Sequence, residues 1–130
     1  MPTGFVATEL SVVLEDGVLV TALGASSSDD GGFYLMFQHQ DQYDAQDVEL
    51  GMNQPYIEYC GQAWSWYGHI LGVTLHSHRV VVLLDDEAAS HMQNDGLLEV
   101  QFSFHASQFQ TLTSALQRTF AGYAYYREVA

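Results

Sequence analysis

Residues 98–120, LEVQFSFHASQFQTLTSALQRTF, decide the fold class of this 130-residue chain. Leu98, Val100, Phe102 and Phe104 alternate with Glu99, Gln101 and Ser103, the period of a half-buried strand. Ser107 then reads as a helix N-cap, and Phe109, Leu112, Leu116 and Phe120 recur at spacings of three, four and four, one face of a helix. Arg118 stands near the negative end of that helix, and Gly122 is its expected stop.

Working outward, the remaining signals are mostly strands. Val6, Leu10, Val12 and Leu14 share one parity, interrupted by Thr8, and Asp16-Gly17 supplies a hairpin turn into a second strand from Val18 to Leu23. GASSSDDGG, residues 24–32, reads as a flexible loop. Phe33 to Gln38 is a third strand, followed by a polar stretch that forms a loop or a short helical turn. Tyr56 to Cys60 and Ala63 to Tyr67 flank a Gly61-Gln62 turn as an aromatic-rich hairpin. Ile70 to Leu75 and Arg79 to Leu84 form another around His76-Ser77-His78, and the VVVLL run is apolar on both faces and so central. Asp85 or Asp86 caps a short helix to about His91, with Ala88, Ala89 and Met92 inward, and Tyr123 to Glu128 is expected to add an edge strand. The expected architecture is α+β: an antiparallel sheet of several hairpins packed against a C-terminal amphipathic helix, within one acidic domain spanning residues 1–130.

Charge narrows the function. Three arginines and no lysine face 16 acids, a net charge of −13, so a phosphate-neutralising nucleic-acid binder is excluded. No stretch is long and apolar enough to span a membrane, the opening MPTGFVATEL lacks a basic leader pattern, and Cys60 is the only cysteine; a reducing, cytoplasmic setting is the expectation. Residues 1–78 hold ten acids and no arginine, whereas 79–130 hold six acids and three arginines. Evenly spread excess charges would stand about 23 Å apart on a surface of roughly 6,900 Å², beyond a screening length of about 8 Å, so only clusters can act together. Asp85-Asp86-Glu87 is explained by a helix N-terminus. Asp41, Asp44, Asp47 and Glu49 crowd four acids into nine residues, more than a cap can use, and are candidates for a negative contact rim, with a plain solvated loop as the competing explanation.

Catalytic patterns are absent: there is no nucleophile elbow, phosphate-cradling glycine loop, HExxH or EF-hand. No spacing nominates an acid/base pair among the carboxylates, so no enzyme is expected. His76 and His78 read as a solvated turn; a metal would need further convergent ligands, and none is assigned. Alternation puts Trp64 and Trp66 on one face, able to anchor a partner or to fill the core. That aromatic hairpin also supports the alternative of a small-molecule or carbohydrate binding module.

YLMFQ (34–38), QDVELGMNQPYIEY (46–59), WSWYGHI (64–70), the VTL and RVVVLLDDEAA hairpin-helix and the FxxLxxAL helix together resemble the bacterial polymorphic-toxin immunity proteins of the tenth-numbered immunity family, over nearly the whole chain. The matching positions are Tyr34, Leu35, Gln38, Leu50, Gly51, Tyr56, Glu58, Tyr67 and Gly68, of which Gly51 and Gly68 read as backbone requirements. The two Trp residues and the His-rich connection depart from the pattern and leave the partner open. The resemblance implies a small cytoplasmic α+β protein that binds and neutralises a cognate toxin domain, expected to be basic, without catalysis or cofactor. The expected partner-binding residues are Asp41, Asp44, Asp47, Glu49, Glu58, Trp64, Trp66 and Tyr67.

Overall fold

The computed structural model describes residues 4–25, 32–40, 42, 45–49, 54–61 and 63–129. In chain order the elements are β1 (Gly4–Ala7), β2 (Glu9–Glu15), β3 (Val18–Gly24), β4 (Tyr34–Gln40), α1 (Ala45–Glu49), β5 (Tyr56–Tyr59), β6 (Ser65–Tyr67), β7 (Ile70–Leu75), β8 (Arg79–Leu84), α2 (Asp86–Met92), β9 (Leu97–Phe102), α3 (Ala106–Thr119) and β10 (Tyr126–Glu128). The α+β class read from residues 98–120 is the class observed. The strands divide between two five-stranded sheets, ordered β1-β9-β8-β7-β10 and β2-β3-β4-β5-β6. The second is an antiparallel meander, while the first holds β8 at its centre and takes β1 and β10 as parallel edge strands beside β9 and β7. Dividing the strands lets each sheet bury one apolar face in a shared core instead of leaving both faces of one long sheet exposed.

The division occurs at Thr8. Phe5 and Ala7 are buried in β1, whereas Leu10 and Val12 are the half-buried residues of β2, so the inward parity changes by one residue. The Thr8 amide donates to the Gly24 carbonyl at 2.8 Å while Glu9 is the register partner of Gly24. Two residues therefore oppose one, a bulge that turns the chain from the first sheet into the second. Val6, expected to share a face with Leu10, Val12 and Leu14, is instead 51% exposed on the outer side of the first sheet. The Asp16-Gly17 hairpin forms as read, with φ of 54° and 80°. Most of the 24–32 loop lies outside the described residues.

One core collects Leu23, Leu35, Phe37, Ile57 and Tyr59 from the second sheet, Val80, Val82, Leu98 and Val100 from the first, Ala88 and Met92 from α2, and Leu112 and Leu116 from α3. Each of the Val, Leu, Ile, Phe and Met side chains among them contributes about 1.5–3 kcal/mol by leaving water. Phe120 closes one end, edge-on to Phe37 at 5.3 Å and stacked on Tyr126 at 5.6 Å.

α2 forms where the spacing put it, capped by the Asp85 carboxylate, which accepts from the Ala88 amide at 2.8 Å, with Ala88, Ala89 and Met92 buried. α3 starts earlier than the Ser107 reading. His105 is its N-cap residue, and the Gln108 side chain accepts from the His105 amide at 3.1 Å, while Ser107 lies inside the first turn. The helix ends at Thr119, before Gly122, which follows in a turn at φ 86°.

Candidate partner-binding face

Alternation in β4, β5 and β6 sends Leu35, Phe37, Ile57, Tyr59 and Trp66 toward the core, and it sends Tyr34, Met36, Gln38, Tyr56, Glu58, Ser65 and Tyr67 to the opposite, outer face. Both longer helices contribute to the core side. Register places Glu58 between Met36 and Ser65, in the middle of this outer face. Its side chain is nonetheless buried, because two phenols close over it: the Tyr34 hydroxyl donates to one carboxylate oxygen, and the Tyr56 hydroxyl donates to the other at 2.5 Å.

Burial, and then the bond and charge of Glu58, push the Tyr34 hydroxyl well above the ordinary phenol range and that of Tyr56 up to about 12. Tyr67 is the register partner of Tyr56, with ring centroids 5.0 Å apart. The result is a row of three tyrosines, two of them held by one carboxylate and the third packed on Tyr56. Gly68 ends this hairpin at φ 70°, and a Cβ there would sit 2.2 Å from the Gln54 side-chain oxygen, which agrees with its reading as a backbone requirement.

The expected site residues are placed unequally. Asp41 and Asp44 lie outside the described residues, as do Leu50 and Gly51. Asp47 and Glu49 belong to α1, where Glu49 is exposed. The connection carrying them leaves β4 at Gln40 and enters β5 at Tyr56, the end of the sheet where Tyr56 and Tyr67 stand. Glu58 and Tyr67 share the outer face. Trp64 and Trp66 do not join them: both are half-buried against the core. Trp66 opposes Ile57 and lies 3.9 Å from the His91 ring of α2 and 5.6 Å from the His69 ring. Trp64 precedes β6 and lies over Gly61, where an added Cβ would come within 2.8 Å of its ring. Neither tryptophan lines the grooves described below.

Asp85 has a structural role. The Ala88 amide holds its carboxyl below the usual range against the opposing effect of burial, and His69 at 2.6 Å adds to the lowering. The His69 contact was not anticipated, because it joins residues across the β7–β8 hairpin. Burial raises the Cys60 thiol, whose sulfur lies 3.6 Å from the Tyr34 carbonyl. Among the described residues no group of three or more His, Cys, Asp or Glu is placed to hold a metal ion, and His78 lies exposed beside Ser77. No described helix is long and apolar enough to cross a membrane. The residues that sequence reasoning missed as a unit are Tyr34 and Tyr56; the alternation of YIEY marks Tyr56 and Glu58 as one face, but only the β4–β5 register brings Tyr34 to them.

An acidic α+β chain with a fixed aromatic and carboxylate face fits the class of immunity proteins. It belongs to the Immunity protein 10 family, whose model matches residues 6–110, from β1 into the first turns of α3, and so covers the whole outer face. No curated protein and no solved structure matches the chain significantly.

Proposed function

We propose that this protein binds and neutralises a cognate toxin domain of a bacterial polymorphic-toxin system by covering part of its surface, in the cytoplasm and without chemistry or cofactor. The observation that carries this reading is Glu58, a buried carboxylate fixed by two phenols on a sheet face that has both longer helices on its other side. Rigid aromatic side chains lose little conformational freedom on binding and make effective anchors. Tyr67 supplies the contact centre together with the Tyr34 and Tyr56 phenols that Glu58 holds from beneath, while Trp64 and Trp66 hold the β5–β6 hairpin from the core side. Asp41, Asp44, Asp47 and Glu49, all within the connection between β4 and β5, are the negative rim of this reading. With a net charge of −13, the chain attracts a basic toxin over long range.

The test is co-expression with the toxin domain encoded beside it, scored by growth rescue and by calorimetric titration of the purified pair. Rescue and a saturable one-to-one complex are expected; growth arrest unrelieved by the protein, with no heat of binding, removes the reading. Within the complex, changing Asp41, Asp44, Asp47 and Glu49 to their amides should slow association about tenfold at low salt and flatten its salt dependence. An unchanged on-rate takes the rim out of the mechanism.

A further inference from the structure

β2 is an edge of the second sheet, seven residues long, and none of the described strands pairs with its other side. The two-residue turn at Asp16-Gly17 makes Glu15 and Val18 a mutually bonded pair, so Ser11, Val13 and Glu15 direct their backbone groups to β3. Leu10, Val12 and Leu14 direct theirs away from the sheet. Val13 and Leu14 are 46% and 52% exposed, an apolar surface unusual for an edge.

Beside this edge runs a groove of about 540 Å³ between β2 and α3, floored by Val12, Leu19 and Ala115 and walled by Gln110, Ser114 and Arg118. A separate hollow of about 480 Å³ lies at the start of the same edge, lined by Glu9, Ser11, Ala22 and Gly24 together with Leu10 and Gln108. An edge strand flanked by a groove against a helix is the geometry in which an extended segment adds to a sheet: main-chain bonds supply affinity and every second side chain enters the groove.

We infer that β2 and the α3 groove form a strand-addition site for a basic, alternating segment of a partner protein. Cross-strand chemistry defines the segment. Residues opposite Leu10, Val12 and Leu14 face the groove and must be apolar, and Arg118 in its wall repels cations from that row. Residues opposite Glu9 and Glu15 lie on the outer face and must be basic, six positions apart. The occupant is therefore a seven-residue strand of the pattern basic, apolar, any, apolar, any, apolar, basic, in either direction.

A second copy of this chain is the wrong occupant. Two β2 strands paired antiparallel about Val12 set Glu9 against Glu15 at both ends, like charge on like charge. On the reading that the protein is a toxin inhibitor, the added strand belongs to the toxin domain, and it widens the outer face that carries Glu58.

The edge is tested without any toxin, so failure of either reading shows separately. The full chain, labelled with ¹⁵N, is titrated with the blocked peptide Lys-Val-Thr-Val-Thr-Val-Lys and with its analogue carrying Glu at both ends. The lysine peptide should give saturating amide shifts centred on Leu10, Val12 and Leu14 and on the groove wall of α3. Its affinity should fall several-fold between about 50 and about 500 mM salt, and the glutamate peptide should give no response. Val12→Pro deletes an outward N–H without taking a bond from β3 and should abolish the shifts. Glu9→Gln with Glu15→Gln, which leaves the backbone untouched, should weaken binding several-fold and remove its salt dependence. Equal binding of both peptides, shifts confined to other surfaces, no saturable response, or self-association of the wild-type chain through β2 would each overturn the inference.

Discussion

Replacing Glu58 tests whether the outer face is held as described. The carboxylate accepts from two phenols, and hydrogen bonds to a charged acceptor are worth about 1.5–3 kcal/mol each. Tyr34 and Tyr56 are only half-buried, so in Glu58→Ala water recovers part of this, leaving a net loss of about 2–4 kcal/mol, or roughly 10 °C in melting temperature. Glu58→Gln keeps one acceptor oxygen and should cost about 1–2 kcal/mol.

The sharper readout is tyrosine titration followed by phenolate absorbance. The Tyr56 hydroxyl is pushed up to about 12 by burial first and by Glu58 second, so removing the charge should lower it part of the way toward the ordinary value of about 10. A phenol whose folded value is raised stabilises the fold fully below about pH 10, and that contribution is lost as pH rises through the folded value. Tyr34, Tyr59, Tyr125 and Tyr126 are raised in the same direction, burial being the largest cause in each, so alkaline unfolding should begin above about pH 10. If Glu58→Gln titrates like the wild type and unfolds within about 0.5 kcal/mol of it, the phenols do not depend on the carboxylate and the argument for a pre-fixed face fails.

Asp85→Ala removes the cap of α2 and should cost about 1 kcal/mol at neutral pH in urea unfolding, while Asp85→Asn keeps most of it. Because the Asp85 carboxyl is held low in the fold, its stabilisation is present above about pH 4 and lost as pH falls through the depressed value; the gap between wild type and Asp85→Ala should be present at about pH 5 and close in acid. The Thr21 hydroxyl is fully buried with no hydrogen-bond partner among the described residues, so Thr21→Val should raise stability by about 1 kcal/mol in the same assay, and a loss would show that the hydroxyl is satisfied. Trp66→Ala should lower stability by about 3 kcal/mol through lost packing on Ile57 and His91; unchanged stability with faster release of a bound toxin domain would return Trp66 to the contact surface.

Local periodicity is enough to locate the strand at Leu98, although Phe104, read into it, lies past its end at Phe102, and to locate the helix after Asp85 and the hairpins at Asp16-Gly17 and His76–His78, because each is written in a few consecutive residues. What it could not carry is register between distant segments. Val6 to Leu14 read as one strand with one apolar parity, yet the bulge at Thr8 sends the two halves to different sheets, and the parallel partner of β1 lies at Glu99 to Phe102. The same limit governs the site. Glu58 comes from the family resemblance, and the phenol of Tyr34 reaches it across 24 residues, through a β4–β5 alignment that no local pattern records. The tryptophans show the converse: alternation was counted from Ala63 as though the strand began there, whereas β6 starts at Ser65, so Trp64 lies in the turn over Gly61 and its direction comes from that contact. Charge identity, by contrast, is readable without register wherever a strand has a free edge. Glu9 and Glu15 bracket an apolar run in the sequence itself, and the structure adds only that no described strand stands beside them.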